Sequence, residues 1–266
     1  MDSLYICSVL NLVSLMKTSQ TTSLLFLLCS MLWLVSCSTS GRVYTQPAGP
    51  ESGFTHRAIR GQRGFGQHRR HLLREQGLSK ADFVRLSTDS AWHLSAADRD
   101  RLHQLRTSLP RPDGHTLLQK VISLEKMQRF ANNDPTAFVN GFVAVAADVK
   151  KLDTYPEVYY GLRLDYEDTP YDPVRGEGYA LVRFYSSYTD ELIIPFCEEL
   201  QGTYPHSWPC SGGGFTASSL GDGGYPEWFF PIDRQPNEGA EIYSVDRRGR
   251  ETLVLIYRGG QWVSAR

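Results

Sequence analysis

Cysteine and histidine are scarce, lysine is missing from the last third of the chain, and the common catalytic fingerprints do not occur. Five cysteines and seven histidines in 266 residues leave little for a metal centre. In the carboxy-terminal region the ligand types are Cys197, Cys210 and His206, three at most and poorly spaced for zinc. There is no P-loop, no dinucleotide glycine motif after a strand, no His-Glu-x-x-His and no Gly-x-Ser-x-Gly. Residues 153–266 hold nine arginines, no lysine and eighteen acids. So acidic a region repels phosphate backbones, so no nucleic-acid partner is expected. Apolar residues make up 41% and charged residues 21%, which excludes a wholly disordered chain and supports one real core. The 23 glycines and 14 prolines follow no period, which excludes a fibre and predicts many loops.

The longest apolar run, residues 24–37, is also short. Fourteen residues at about 1.5 Å each reach about 21 Å, below the roughly 30 Å of a bilayer's apolar slab. That length suits the apolar region of an export signal. Met1–Leu15 carries Asp2 and no base, whereas Lys17 follows Met16 directly, so Met16 is read as the true start. The run ends in Leu34-Val35-Ser36-Cys37, which resembles the lipobox of bacterial lipoproteins. The resemblance implies a signal peptide over 1–36, diacylglycerol on Cys37 and a lipid anchor in the cell membrane or outer membrane, facing periplasm or exterior. Ser38, where the family's inner-membrane members carry aspartate, leans towards the outer membrane. Two or three acyl chains hold a protein stably where one does not.

After the anchor, residues 37–75 read as a basic tether, with seven arginines between Ser38 and Glu75. Its few notable apolar residues are Phe54, Ile59, Phe65 and the Leu72-Leu73 pair. A globular domain is expected over 76–266, helical over 79–152 and β-rich over 153–266. Cys197 and Cys210 are the only thiols left besides Cys37, and in an oxidising compartment they read as one disulfide worth about 3 kcal/mol. Two free buried thiols are the alternative.

Ser95 and Asp98 mark a helix start, followed by Leu102, Leu105 and Leu109 at helical spacing until Pro110. Asp113 is read as the cap of a second helix with Leu117, Leu118, Val121, Ile122, Leu124 and Met127 on its apolar face. Residues 141–146 begin a strand or extend a helix, and Thr154 with Glu157 forms a capping box. Strands are expected at 179–185, 191–195, 228–230, 240–245, 252–257 and 261–263, the last three as a meander turning at 247–250 and 259–260. The fold class is α+β, with N-terminal helices packed on a mainly antiparallel C-terminal sheet.

For function, the sequence order Arg183, then Gly212-Gly213-Gly214-Phe215-Thr216-Ala217-Ser218, then Glu227 before Trp228-Phe229-Phe230 weakly resembles ADP-ribosyltransferase-type polymorphic toxin domains. The resemblance implies NAD as substrate: Arg183 on its phosphates, Thr216 and Ser218 supporting the pocket, and Glu227 polarising the ribose. A carboxylate beside an oxocarbenium-like sugar lowers the barrier electrostatically, and a guanidinium suits pyrophosphate. Arg163 competes for the arginine role. Tyr225 stands where the family has a second acid or glutamine. A paired-carboxylate glycosidase drawing on Glu198, Glu199, Glu227, Glu238 or Glu241 is another enzymatic reading. The leading reading is non-catalytic. Twelve of fourteen tyrosines lie in the acidic region, which suits a surface that binds a protein or glycan in the cell envelope.

Overall fold

In the computed structural model, residues 53–204 and 211–265 are described. They belong to one compact unit, Gly49–Arg266. The signal, Met16, Cys37 and Cys210 lie outside the described residues. Seven antiparallel strands, β1 Leu118–Ile122, β2 Val139–Val145, β3 Gly178–Phe184, β4 Trp228–Arg234, β5 Glu241–Asp246, β6 Glu251–Arg258 and β7 Gln261–Ser264, form one sheet in the order β4-β2-β1-β3-β5-β6-β7. Helices α1 His56–Arg60, α2 Phe65–Glu75, α3 Lys80–Thr88 and α4 Ala96–Thr107 come first, α5 Leu124–Ala131 joins β1 to β2, and α6 Tyr155–Gly161 precedes β3. The fold is α+β.

Register sorts the side chains. Val182 aligns with Lys120 and Ile242, while Arg183 aligns with Gln119 and Glu241. The Val182 face packs Leu118, Ile122, Phe184 and Ile242 against Phe130 of α5 and Trp262 of β7. The opposite face packs Leu181, Tyr179 and Tyr243 against Phe54, Ile59, Tyr155 and Val158. A third cluster joins α2–α4 to Phe196, Phe215 and Tyr225. Local signals agree with this layout. Thr154 and Glu157 form the capping box of α6, and Ser95 caps α4 through Asp98 N at 3.2 Å. The meander turns are held by Asp246, which accepts from Arg248 N and Arg250 N, and by Glu238, which accepts from Gly259 N and Gly260 N.

Three expectations are corrected. Residues 118–122 are a strand, not a helix, and β1 and β2 both fall in the region read as helical. The apolar pairs Leu117-Leu118 and Val121-Ile122 fit helical spacing, but they equally fit a central strand buried on both faces. Asp113 caps no helix there; it accepts from His115 N and the Thr116 hydroxyl in a turn, and α5 starts later, under Ser123. Residues 191–195 make one isolated bridge, Ile193 to Phe229; Pro195 has no N–H with which to extend a ladder.

The third correction moves the domain boundary. Residues 54–75 are folded, not tether, because Phe54, Ile59, Phe65 and Leu73 are buried in the core. Their docking rests on buried charge. Arg183, 2% exposed, forks onto Glu251 at 2.5 and 2.7 Å and also donates to Gln119 Oε1 and Phe54 O. Glu251 accepts from His56 N at 2.9 Å, and Glu241 accepts from Gly53 N and Phe54 N at 3.1 Å each.

Removing one partner of such a pair strands the other in the core. Arg183→Ala is expected to cost about 3–5 kcal/mol in urea unfolding and to open residues 53–60 to proteolysis. A loss under about 1 kcal/mol would show that the pair is not the clamp described.

Candidate functional site

The structure brings Arg163, Thr216, Ser218 and Glu227 to one region and places Arg183 elsewhere. Main-chain bonds fold 214–227 into a hairpin: Thr216 N donates to Tyr225 O and Glu227 N to Gly214 O, each at 2.9 Å. The Thr216 hydroxyl donates to Gly161 O at 2.8 Å and accepts from Tyr225 N. Ser218 is fully buried, and its hydroxyl accepts from Leu220 N. Arg163 pairs with Asp165 at 2.7 Å and reaches Ala217 O at 3.3 Å. Arg183 is on β3, with β1 and β2 between it and β4, and its donors are spent on Glu251, Gln119 and Phe54. Arg183 therefore does not share a region with Ser218 and Glu227, whereas the competing arginine, Arg163, does.

The three glycines are packing residues. A Cβ on Gly213 would meet Leu102 at 2.9 Å, and one on Gly214 would meet Ile194 at 2.6 Å and Arg106 at 3.0 Å. Gly212 and Gly214 also take positive φ, 71° and 73°, where a side chain is strained. Cys197 is buried, and its N–H donates to Gly212 O. Burial, with Glu199 beside it, pushes its thiol up to about 11. Among the described residues, no group of His, Cys, Asp or Glu is placed to hold a metal. Of the twelve tyrosines in the acidic region, Tyr155, Tyr171, Tyr179, Tyr204, Tyr225, Tyr243 and Tyr257 are buried, while Tyr160 and Tyr188 are exposed.

Sequence reasoning missed Arg106. It lies on α4 four residues after Leu102, on the apolar stripe, and is fully buried. Its Nε donates to Gly214 O at 2.7 Å and its Nη2 to Glu227 O at 2.6 Å, while Nη1 has no partner. The guanidinium stands 4.3 Å from the Trp228 ring centroid. Burial lowers its pKa. Burial likewise pushes the Glu227 carboxyl up to about 8, against the pull of Arg106 and Arg163, and Oε2 has no partner.

The accessible chemistry lies at the start of α2. Gly64 presses on the loop after β2: a Cβ there would fall 2.0 Å from Ala147 O. Asp148 accepts from Phe65 N–H, and burial pushes its carboxyl up to about 6. Beside this contact is a cleft of about 570 Å³ lined by the cations Arg69, Arg70, Lys80, Lys150 and Lys151 and by two acids, Asp148 and Asp222. Arg69 donates to Asp222 O at 2.7 Å and lies over Phe65 and Phe83. Lys150 Nζ donates to Arg60 O and Gln62 O. Arg70, Lys80 and Lys151 are exposed and have no ion-pair or hydrogen-bond partner among the described residues. The surroundings are basic, with seventeen arginines and lysines against nine acids in residues 53–152.

No family model, curated protein or solved structure matches the chain. The site therefore stands on its own geometry.

Glu227 gives a signed test of the buried pair. Its carboxyl sits near 8 when folded against an ordinary 4.5, so between those values the native state keeps a proton that the unfolded chain releases. This contribution to stability is present below about 4.5 and is lost as pH rises towards 8. Glu227→Gln, neutral throughout, should flatten that decline in urea unfolding and match or exceed the wild type at pH 8. A Gln variant clearly less stable at that pH would mean that Glu227 is ionised and engaged.

Proposed function

We propose that the chain is an exported, lipid-anchored bacterial envelope protein whose folded body is a non-catalytic binding module, and that the cleft beside α2 takes an anionic group of an envelope glycan. The observation that carries this reading is Arg70, Lys80 and Lys151 lining one concave site without acidic partners. Solvated cations elsewhere on a surface need no ligand; here they converge around one concave site with Arg69, which lies over Phe65 and Phe83. The acidic half favours a short anionic segment at the basic face over a long polyanion lying across both halves, which supports a glycan over nucleic acid. The anchor rests on the lipobox-like tetrapeptide ending at Cys37. Among the described residues no helix is long and apolar enough to cross a membrane.

Dextran sulfate against neutral dextran tests the site. The full chain should bind only the sulfated polymer, more weakly as salt rises. At about 0.5–1 kcal/mol per exposed charge, Arg70→Ala, Lys80→Ala and Lys151→Ala together should cost about tenfold or more in affinity. Equal binding of both polymers, or an unchanged triple variant, would reject the site.

Cys37→Ser should abolish fatty-acid labelling and membrane fractionation in a bacterial host. Unchanged labelling would reject the anchor.

A further inference from the structure

A second, smaller cavity adjoins the cleft. It is about 160 Å³, shares Phe65 and Asp148 with the larger one, and is lined by Arg63, His68, Arg111 and Trp228. At about 30 Å³ per water it has room for about five waters, which is the scale of one phosphate or carboxylate group. Arg63 and His68 have no ion-pair or hydrogen-bond partner among the described residues. Arg111 donates to Leu192 O at 2.5 Å and stands 5.2 Å from the Trp228 ring centroid. Leu109, Val145 and Trp228 supply an apolar wall. Asp148 is the one acid lining this cavity, and it is committed to the Phe65 N–H.

We propose that the two cavities are lobes of one site that takes two neighbouring anionic groups of a single ligand, one in each lobe, on either side of Asp148 and Phe65. The ligand class is a glycan or related polymer bearing phosphates on adjacent units. The inference rests on the reading of the larger cleft as an anion site and goes beyond it. A ligand with one charge satisfies the cations of one lobe only and leaves the other lobe hydrated. A ligand with two gains from both lobes, and the second contact is intramolecular once the first has formed. Asp148 between them disfavours a single anion placed at the divide and favours one on each side.

Calorimetry on the full chain at fixed ionic strength, with inorganic phosphate and with tripolyphosphate as probes, tests this. Arg63→Ala combined with Arg111→Ala should cost tripolyphosphate about tenfold in affinity and leave phosphate within about twofold, because phosphate is satisfied in the larger lobe. Arg63→Ala alone, which touches no protein partner among the described residues, should show the same asymmetry at smaller size if the double variant fails to fold. Equal losses for both probes, or no loss for either, would overturn the two-lobed site. Wild-type protein that binds neither phosphate nor dextran sulfate would overturn the larger cleft as well. Binding of both with no probe-specific loss would overturn this inference alone.

Discussion

Arg183 is a guanidinium inside a β-sheet, and it must find acceptors there or unfold the sheet around it. It finds Glu251 on β6, Gln119 on β1 and the carbonyl of Phe54. Glu251 and the neighbouring Glu241 then have acceptor capacity left over, and they spend it on the main chain of residues 53–56. A charge network in the sheet thus holds residues 53–56 against β3, β5 and β6. From that fixed point α1 covers the Tyr155 face, and the chain arrives at Gly64, where the absence of a side chain lets it meet Ala147. The cleft beside α2 exists because these contacts bring residues 63–80 and 147–151 together.

The distribution of charge follows from the same assembly. The first half of the described chain is basic and the second acidic, yet the buried ion pair crosses little of that divide: Arg183 and Glu251 both belong to the acidic half. The basic half keeps its cations largely unneutralised. Some serve the fold, as Lys150 does on the carbonyls of Arg60 and Gln62 and Arg69 does on Asp222. Arg63, Arg70, Lys80, Arg111 and Lys151 line two cavities that share Asp148. Beneath them Arg106 and Glu227 are buried, each with one unpaired polar atom. That pair is better understood as a support under the 214–227 hairpin, since Arg106 donates to two of its carbonyls.

Much of the sheet was legible in the sequence. The meander could be read because β5, β6 and β7 are joined by short turns carrying Gly249 and the Gly259-Gly260 pair. The capping box at Thr154 was equally plain. Strand β1 was not, since its apolar pairs Leu117-Leu118 and Val121-Ile122 flank Gln119 and Lys120, fit helical spacing and carry no period of two. The candidate site was less legible. The motif order of Arg183, Ser218 and Glu227 is a linear pattern, and the register puts Arg183 on a different part of the sheet. Arg106 had a visible signal, a cation on the stripe of Leu102, Leu105 and Leu109. Arg63, Arg111 and Lys151 come from three separate segments, and only the tertiary contacts gather them. The apolar residues scattered through 54–73 look incidental within a basic, polar segment, yet Phe54, Ile59, Phe65 and Leu73 anchor it to the core.

The proposed ligand site is the basic cleft and not the acidic, tyrosine-rich half. Hydrogen exchange of the full chain, followed peptide by peptide with and without dextran sulfate, measures this directly. Added protection is expected in peptides covering 63–70 and 147–151, with none over the meander at 238–264. Protection confined to the meander, or no change at 63–70 and 147–151 under saturating polymer, would contradict it.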